Sequence, residues 1–330
     1  MRYFVTGATG FIGERLVKHL VANGHEVNAL VRSESKARRM LPASVKLFNG
    51  DLADTNAIRK AISGCDGAFH LAAYAKVWSR DPDLPYRVNV TGTKNIFDAA
   101  LKSGVSRVVL TSTGGTLNPS EGKKPVDEET PRTMDFFNDY EKTKSEAEKL
   151  ALDYAEKGLE VVTVNPTRVY GPGYENESAA MTMIIRKFNR GMWRIIPGSG
   201  KKYGNYVFIN DVVEGHLLAM EKGRNGHRYI IGGENATYDQ FFQILKNVTG
   251  RDRVMVHIPY GLLNFVVRIQ FVAARMFGKP PLITPHWIRK YLHHWACSSC
   301  KAQQELGYRI TPLDEGIRKT IDWTEAQNRE

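Results

Sequence analysis

Short apolar runs alternate with longer segments in which apolar residues return every three or four positions. Residues 1–5 form the first run, and Phe11, Ile12, Leu16, Val17 and Leu20 follow at helical spacing. Further runs rich in Val, Leu or Phe occupy 26–31, 45–49, 67–71, 107–111 and 159–165, with helical segments at 56–62, 86–102 and 140–156. Strand and helix in alternation predict an α/β fold, a doubly wound parallel sheet with right-handed crossovers and helices on both faces. In such sheets ligands collect at the carboxyl ends of the strands.

From Tyr170 the pattern breaks into loops punctuated by Gly and Pro, followed by an apolar helix over 179–190. Residues 206–231 read as strand, helix, strand and are expected to return to the first domain; from Thr237 helices dominate, ending at 313–323. The expectation is a first domain over 1–169 with 206–231, and a smaller, mainly helical substrate domain over 170–205 and 232–330. Residues 262–277 are apolar except for Asn264, Arg268, Gln270 and Arg275. A packed or dimer-forming helix is preferred there to a lipid-surface helix, because the polar face is thin.

The first strand and helix are joined by Thr6-Gly7-Ala8-Thr9-Gly10-Phe11-Ile12-Gly13. Gly7 permits a backbone angle closed to other residues, Gly10 lets the main chain approach a pyrophosphate, and Gly13 lets the helix pack closely on the strand. Free N–H groups at the helix start then face the anion.

Composition narrows the picture. The chain has 330 residues, 42% of them hydrophobic, enough for a buried core. No apolar stretch reaches the roughly 18 residues of a membrane span, and no secretory leader is visible, so a cytoplasmic protein is expected. Cys65, Cys297 and Cys300 cannot all pair, and the lone C-x-x-C lacks a second ligand pair, so no metal site is expected. The net charge of +11 is concentrated in 251–310, where nine Lys or Arg stand against Asp252 and Glu305. No basic stripe is interleaved with aromatics, which argues against nucleic acid and leaves attraction for an anionic cofactor.

Tyr140 and Lys144 lie four apart at the head of a helix, hence on one face. A phenol is a poor acid or base near neutrality until a neighbour favours its anion, and an ammonium would do so. Tyr140 can then exchange a proton with a carbonyl oxygen. The run Thr111-Ser112-Thr113 ends the fifth strand at the edge where ligands bind, and a hydroxyl there can hydrogen-bond the same oxygen. Ser112 competes with Thr113 for that role, yet alternation along a strand turns it to the other side.

TGATGFIG, HLAA at 70–73, TST at 111–113 and YEKTK at 140–144 together resemble the extended short-chain dehydrogenases/reductases. Segments at 211–216, 221–224, 232–235 and 305–308 are most similar to the dihydroflavonol-4-reductase-like and farnesol-dehydrogenase-like enzymes. The resemblance covers essentially the whole chain and implies a Rossmann-type domain binding NAD or NADP, and a homodimer as the assembly, since such families usually pair two helices from each subunit. It implies that Tyr140 is the acid/base, that Lys144 holds the nicotinamide ribose and lowers the Tyr140 pKa, and that Thr113 stands for the family's serine. It implies cofactor contacts from Gly7, Thr9, Gly10, Phe11, Ile12, Gly13, Asp51, Leu52, Leu71, Ala72, Ala73, Pro166 and Val169, with Thr167 beside them and Asn89 supporting the site. After the second strand, where NAD enzymes place an acid, this chain has Arg32, with Lys36, Arg38 and Arg39 nearby. Guanidinium suits a 2′-phosphate, so NADP is preferred to NAD.

The substrate reading is a small hydrophobic alcohol and its ketone or aldehyde, with Trp78, Met134, Phe136, Phe137, Met181, Met192 and Trp193 as pocket candidates. The alternative is a nucleotide-sugar epimerase or dehydratase. Against it, Gly114 and Gly115 follow Thr113 where dehydratases carry an Asp-Glu pair, and Gly204 stands where sugar-nucleotide enzymes carry arginine, although Lys201 and Lys202 could compensate. A second alternative is a non-catalytic cofactor sensor, which an intact Thr113, Tyr140 and Lys144 argue against.

Overall fold

The computed structural model describes residues 1–76, 78–173, 179–277 and 285–327, without the side chains of 271–277 and 285–287. Its first strands and helices are β1 (Arg2–Thr6), α1 (Phe11–Ala22), β2 (Glu26–Val31), α2 (Glu34–Met40), β3 (Lys46–Asn49), α3 (Thr55–Ile62) and β4 (Gly67–His70). They continue through α4 (Leu84–Tyr86), a π-helical turn (Arg87–Thr91), α5 (Gly92–Ser103), β5 (Arg107–Thr111), α6 (Asp139–Glu156) and β6 (Glu160–Pro166). The second half holds β7 (Arg168–Tyr170), α7 (Ala180–Asn189), β8 (Ile195–Pro197), β9 (Tyr203–Phe208), α8 (Ile209–Lys222), β10 (Arg228–Ile231) and β11 (Glu234–Thr237). It ends with α9 (Tyr238–Thr249), β12 (Val256–Ile258), α10 (Tyr260–Phe277), α11 (Pro285–Lys290), α12 (Cys300–Leu306) and α13 (Leu313–Ala326).

Seven strands form a parallel sheet in the order β10-β6-β5-β4-β1-β2-β3. Val5 on β1 pairs with Ala29 on β2 and Phe69 on β4. Val5, Ala29, Phe69 and Val109 face one core cluster, which α1 and α8 cover with Leu16, Leu20 and Val212. Phe4, Ala68, Val108 and Leu110 face the other, covered from α3, α5 and α6 by Ile58, Phe97 and Ala147. Both faces are thus dry, which is why these strands read as nearly continuous apolar runs. The order reverses between β1 and β4, the topological switch point at which the carboxyl ends open a crevice.

Residues 206–231 return only in part. β10 joins the main sheet beside β6, and α8 packs against β5 and β6. β9, however, starts at Tyr203 and lies between β7 and β11 in a separate three-stranded sheet. From Thr237 helices dominate as expected, with the short strand β12 among them paired to β8. α7, α9 and α13 close over the small sheet around Ile185, Phe241 and Ile317. The helix expected over 86–102 is split into α4, the π-helical turn and α5.

α10 bears on the assembly reading. Val267 is buried, but Leu262, Phe265, Val266 and Ile269 are exposed, so the packed-helix reading does not cover this stripe within one chain. Arg275 lies outside the described side chains. Among the described residues no helix is long and apolar enough to cross a membrane.

Candidate active site

The glycine turn is built to press backbone on backbone. Gly7 has φ of 71°, and a Cβ there would sit 2.7 Å from the Ala72 nitrogen. A Cβ at Gly13 would sit 2.1 Å from the Gly7 carbonyl oxygen. Gly10 donates to that carbonyl at 2.9 Å and is the N-cap of α1, with no side-chain capping hydrogen bond. A compact anion fits this cradle, with the first N–H groups of α1 as donors.

The other expected cofactor residues border the same crevice. Thr9 and Ile12 are half-buried and Phe11 is buried in the first turn; Leu71, Ala72 and Ala73 follow β4, all half-buried. Arg32 and Lys36 are exposed beyond β2. Asp51 accepts from the Ala53 nitrogen at 2.8 Å, and Leu52 is buried beneath Gly92. Pro166 closes β6 in the interior, and Val169, two residues past Thr167, is half-buried in β7. The arrangement fits a dinucleotide laid across the switch point.

The groups expected to carry chemistry meet at the carboxyl end of β5. Asn138 caps α6 by accepting from the Glu141 nitrogen at 2.9 Å, which sets Tyr140 in its first turn and Lys144 in the next. The Tyr140 phenol lies within reach of the Thr113 side chain, which favours its anion. A Cβ on Gly115 would lie 2.9 Å from the Glu141 side chain, so this small residue lets α6 approach the loop after Thr113. Ser112 is turned away, as alternation requires: its hydroxyl donates to Glu148. Thr116 and Asn165 donate to the same oxygen at 2.8 and 2.7 Å, locking Glu148 behind the strand.

Burial pushes the Tyr140 phenol up to about 12, with Thr113 working against the rise and Glu141 with it. The expectation that Lys144 lowers this pKa is therefore corrected: desolvation dominates, and Lys144 is not among the groups shifting the phenol. Lys144 itself is 1% exposed, and burial pushes it down to about 8 against the opposing attraction of Glu148. Its ammonium thus survives at neutral pH with little to spare.

Several supporting residues escape a reading by motif. Buried Asn89 accepts from the Tyr74 nitrogen at 2.7 Å and donates to Thr143 at 2.9 Å, tying the π-helical turn to α6 between Tyr140 and Lys144. The Thr93 hydroxyl donates to the Asn89 carbonyl at 2.6 Å, so it accepts from Nε2 of buried His70 at 3.0 Å. Nδ1 of His70 is then left to accept from Thr6 at 2.7 Å. Burial, aided by Lys144, pushes His70 down to about 3, which keeps it neutral. Glu141 is 1% exposed, accepts from the Phe137 nitrogen at 3.1 Å and pairs with Lys290 at 2.7 Å. The π-helical turn could have been suspected from Pro85 and Gly92 flanking Asn89; the Lys290 contact, 149 residues from Glu141, has no local signal.

The expected apolar pocket residues divide. Phe137 packs edge-on against Trp295 at 5.7 Å, and Phe136 lies under Arg132. The Trp78 carbonyl accepts from the Tyr74 hydroxyl. Met181 and Trp193 pack into the core beneath α7 and α9, whereas Met134 and Met192 are exposed.

The fold is that of the NAD-dependent oxidoreductase and epimerase/dehydratase superfamily, and the comparisons agree. Residues 3–232 match the NAD dependent epimerase/dehydratase family, and the chain belongs to it. It is 30% identical over 326 residues to a putative dihydroflavonol 4-reductase of Synechocystis sp., covering 97% of this chain and 94% of that one. Sterol demethylase protein B of Methylococcus capsulatus is 32% identical, with 98% of each chain covered. The crystal structure of a UDP-glucose 4-epimerase of Thermotoga maritima with UDP-glucose superposes with a TM-score of 0.82 at 26% identity, over 99% of this chain and all of the other. The chain is accordingly an enzyme acting on CH–OH groups.

Proposed function

We propose that the chain interconverts a hydrophobic alcohol and its ketone or aldehyde, with Tyr140 as acid/base, Thr113 as the second hydroxyl on the reacting oxygen and Lys144 on the ribose. The observation carrying this is the approach of Tyr140 to Thr113 at the carboxyl edge of the sheet, with buried Lys144 one turn on. When bound, the nicotinamide supplies or takes the hydride. A phenol held near 12 carries its proton at neutral pH and is ready to give it to a carbonyl oxygen that Thr113 also holds. The reverse reaction needs the phenolate and is favoured by alkaline conditions. NADP is the preferred cofactor, because exposed Arg32 and Lys36 stand where an acid would otherwise receive the ribose.

The likeness to the Thermotoga epimerase supports a second reading, a nucleotide-sugar epimerase or dehydratase. Gly114, Gly115 and Gly204 weigh against it. The test is Tyr140→Phe assayed on terpenoid alcohols, flavonoid ketones and nucleotide sugars by nicotinamide absorbance. The substitution should cost about 10²–10⁴-fold in turnover and leave cofactor binding intact. Unchanged turnover would remove the acid/base role, and turnover of sugars alone would favour the second reading.

A further inference from the structure

Arg168 on β7 carries a charge that the fold leaves unused. It is half-buried, and among the described residues no carboxylate pairs with it. Of its five N–H groups, Nη1 meets the Tyr206 hydroxyl at 3.3 Å, and the Tyr238 hydroxyl is a second neutral partner. The guanidinium lies over two rings, 5.5 Å from that of Tyr206 and 5.1 Å from that of Tyr238. Tyr291 stands 6.0 Å from Tyr238 and within electrostatic reach of Arg168, completing an aromatic wall. The Tyr238 hydroxyl is buried in the same wall and meets the guanidinium outside ordinary hydrogen-bond geometry, which leaves its O–H free to donate.

The wall adjoins the candidate active site. Lys290 pairs with Glu141, the residue after Tyr140, and its neighbour Tyr291 faces Arg168. The Trp295 nitrogen donates to the Tyr203 carbonyl at 2.9 Å, while its ring packs on Phe137, three residues before Tyr140. Gly204 is what admits the guanidinium, since a Cβ there would meet Nη1 of Arg168 at 2.5 Å.

We propose that Arg168 holds a carboxylate of the substrate, so that the enzyme acts on oxo acids or hydroxy acids with an apolar body. A half-buried guanidinium whose partners are all neutral is stabilised further by an anion, and its parallel N–H groups match the two oxygens of a carboxylate. The tyrosine faces hold the guanidinium in place, and Tyr238 is positioned to add a hydroxyl donor beside its fork. The inference rests on the reductase reading of Thr113, Tyr140 and Lys144 for its chemistry, but binding can be measured without turnover.

The experiment titrates decanoate, decan-1-ol and UDP into the cofactor-loaded full chain by calorimetry. The proteins are wild type, Arg168→Gln and Gly204→Ala, the last of which must displace the guanidinium without removing it. Both substitutions should weaken decanoate by about ten- to a hundredfold and leave decan-1-ol unchanged. Equal decanoate affinity in all three proteins, or no decanoate binding to wild type, overturns the proposal. UDP binding more tightly than decanoate and depending on Arg168 overturns it in favour of a phosphate. A parallel assay compares oxo acids with their methyl esters: wild type should prefer the acid and Arg168→Gln should lose that preference. If decanoate binding depends on Arg168 and no carbonyl compound is reduced, the anion site stands and the reductase reading falls.

Discussion

The side-chain amide of Asn89 donates to the hydroxyl of Thr143 at 2.9 Å, joining the π-helical turn to α6 one residue before Lys144. The same amide also donates to the Tyr74 carbonyl at 3.2 Å and its oxygen accepts from the Tyr74 nitrogen, so a buried side chain links three segments. A wide turn brings a side chain to bear that a regular helix would aim elsewhere, and such turns recur at functional sites. Asn89→Ala should destabilise the fold by about 2–3 kcal/mol in urea titration, because it strands the Tyr74 N–H in the interior. Asn89→Asp keeps the acceptor for Tyr74 but loses both donors, so it isolates the tie to α6. A fall in kcat with unchanged KM in the Asp variant is the expected mark of a positioning residue, and wild-type turnover would reduce Asn89 to packing.

Lys144 exposes a conflict between stability and function. Its folded pKa, about 8, lies below the ordinary 10.5, so the folded chain holds its proton less tightly than the unfolded one. Stability therefore rises as pH climbs from about 8 toward 10.5, and the cost of the buried charge is fully present below about 8. A depression of that size corresponds to something on the order of 3 kcal/mol. Lys144→Met should melt higher than wild type at pH 7, with the advantage gone by pH 10, and should lose turnover at both. A variant melting lower at pH 7 would show that the ammonium stabilises the fold.

The cofactor preference turns on Arg32, which is exposed past the end of β2 and makes no ion pair among the described residues. Arg32→Glu reverses the charge facing a 2′-phosphate and offers an acceptor to ribose hydroxyls. The dissociation constant for NADPH should rise by about ten- to a hundredfold with NADH little changed or tighter. Equal weakening of both in fluorescence titration would remove Arg32 from the choice.

What could be read from the chain follows from how local each cause is. The glycine turn and the alternation of β1 to β6 are set within a few residues each, by periodicity and by angles open to glycine alone. The orientation of Ser112 away from Thr113 needed only the two-residue repeat of a strand. β7 was invisible because Thr167 alone separates it from β6, and its three residues pair with β9 rather than with a sequence neighbour. The guanidinium of Arg168 and the space over Gly204 are partners across 36 positions, and neither has meaning without the other. The pKa of Tyr140 depended on how much water the fold excludes, which spacing from Lys144 does not report.

Gly13 offers the sharpest separation of backbone strain from ligand binding. A Cβ at this position would meet the Gly7 carbonyl oxygen at 2.1 Å, its carbon at 2.8 Å and the Ala8 Cα at 3.1 Å. All three are main-chain atoms, so no rotamer relieves the contact, and α1 must lift from β1 together with the N–H groups that face the pyrophosphate. Gly24 is the matched control, with φ of 77° and no atom within 4 Å of its Cβ. Gly24→Ala should cost about 1–2 kcal/mol through the left-handed backbone alone and bind the dinucleotide normally. Gly13→Ala should be destabilised by about 1–3 kcal/mol and lose most of its dinucleotide affinity besides. If calorimetry finds that Gly13→Ala binds as wild type does, the helix start is not where the pyrophosphate is held.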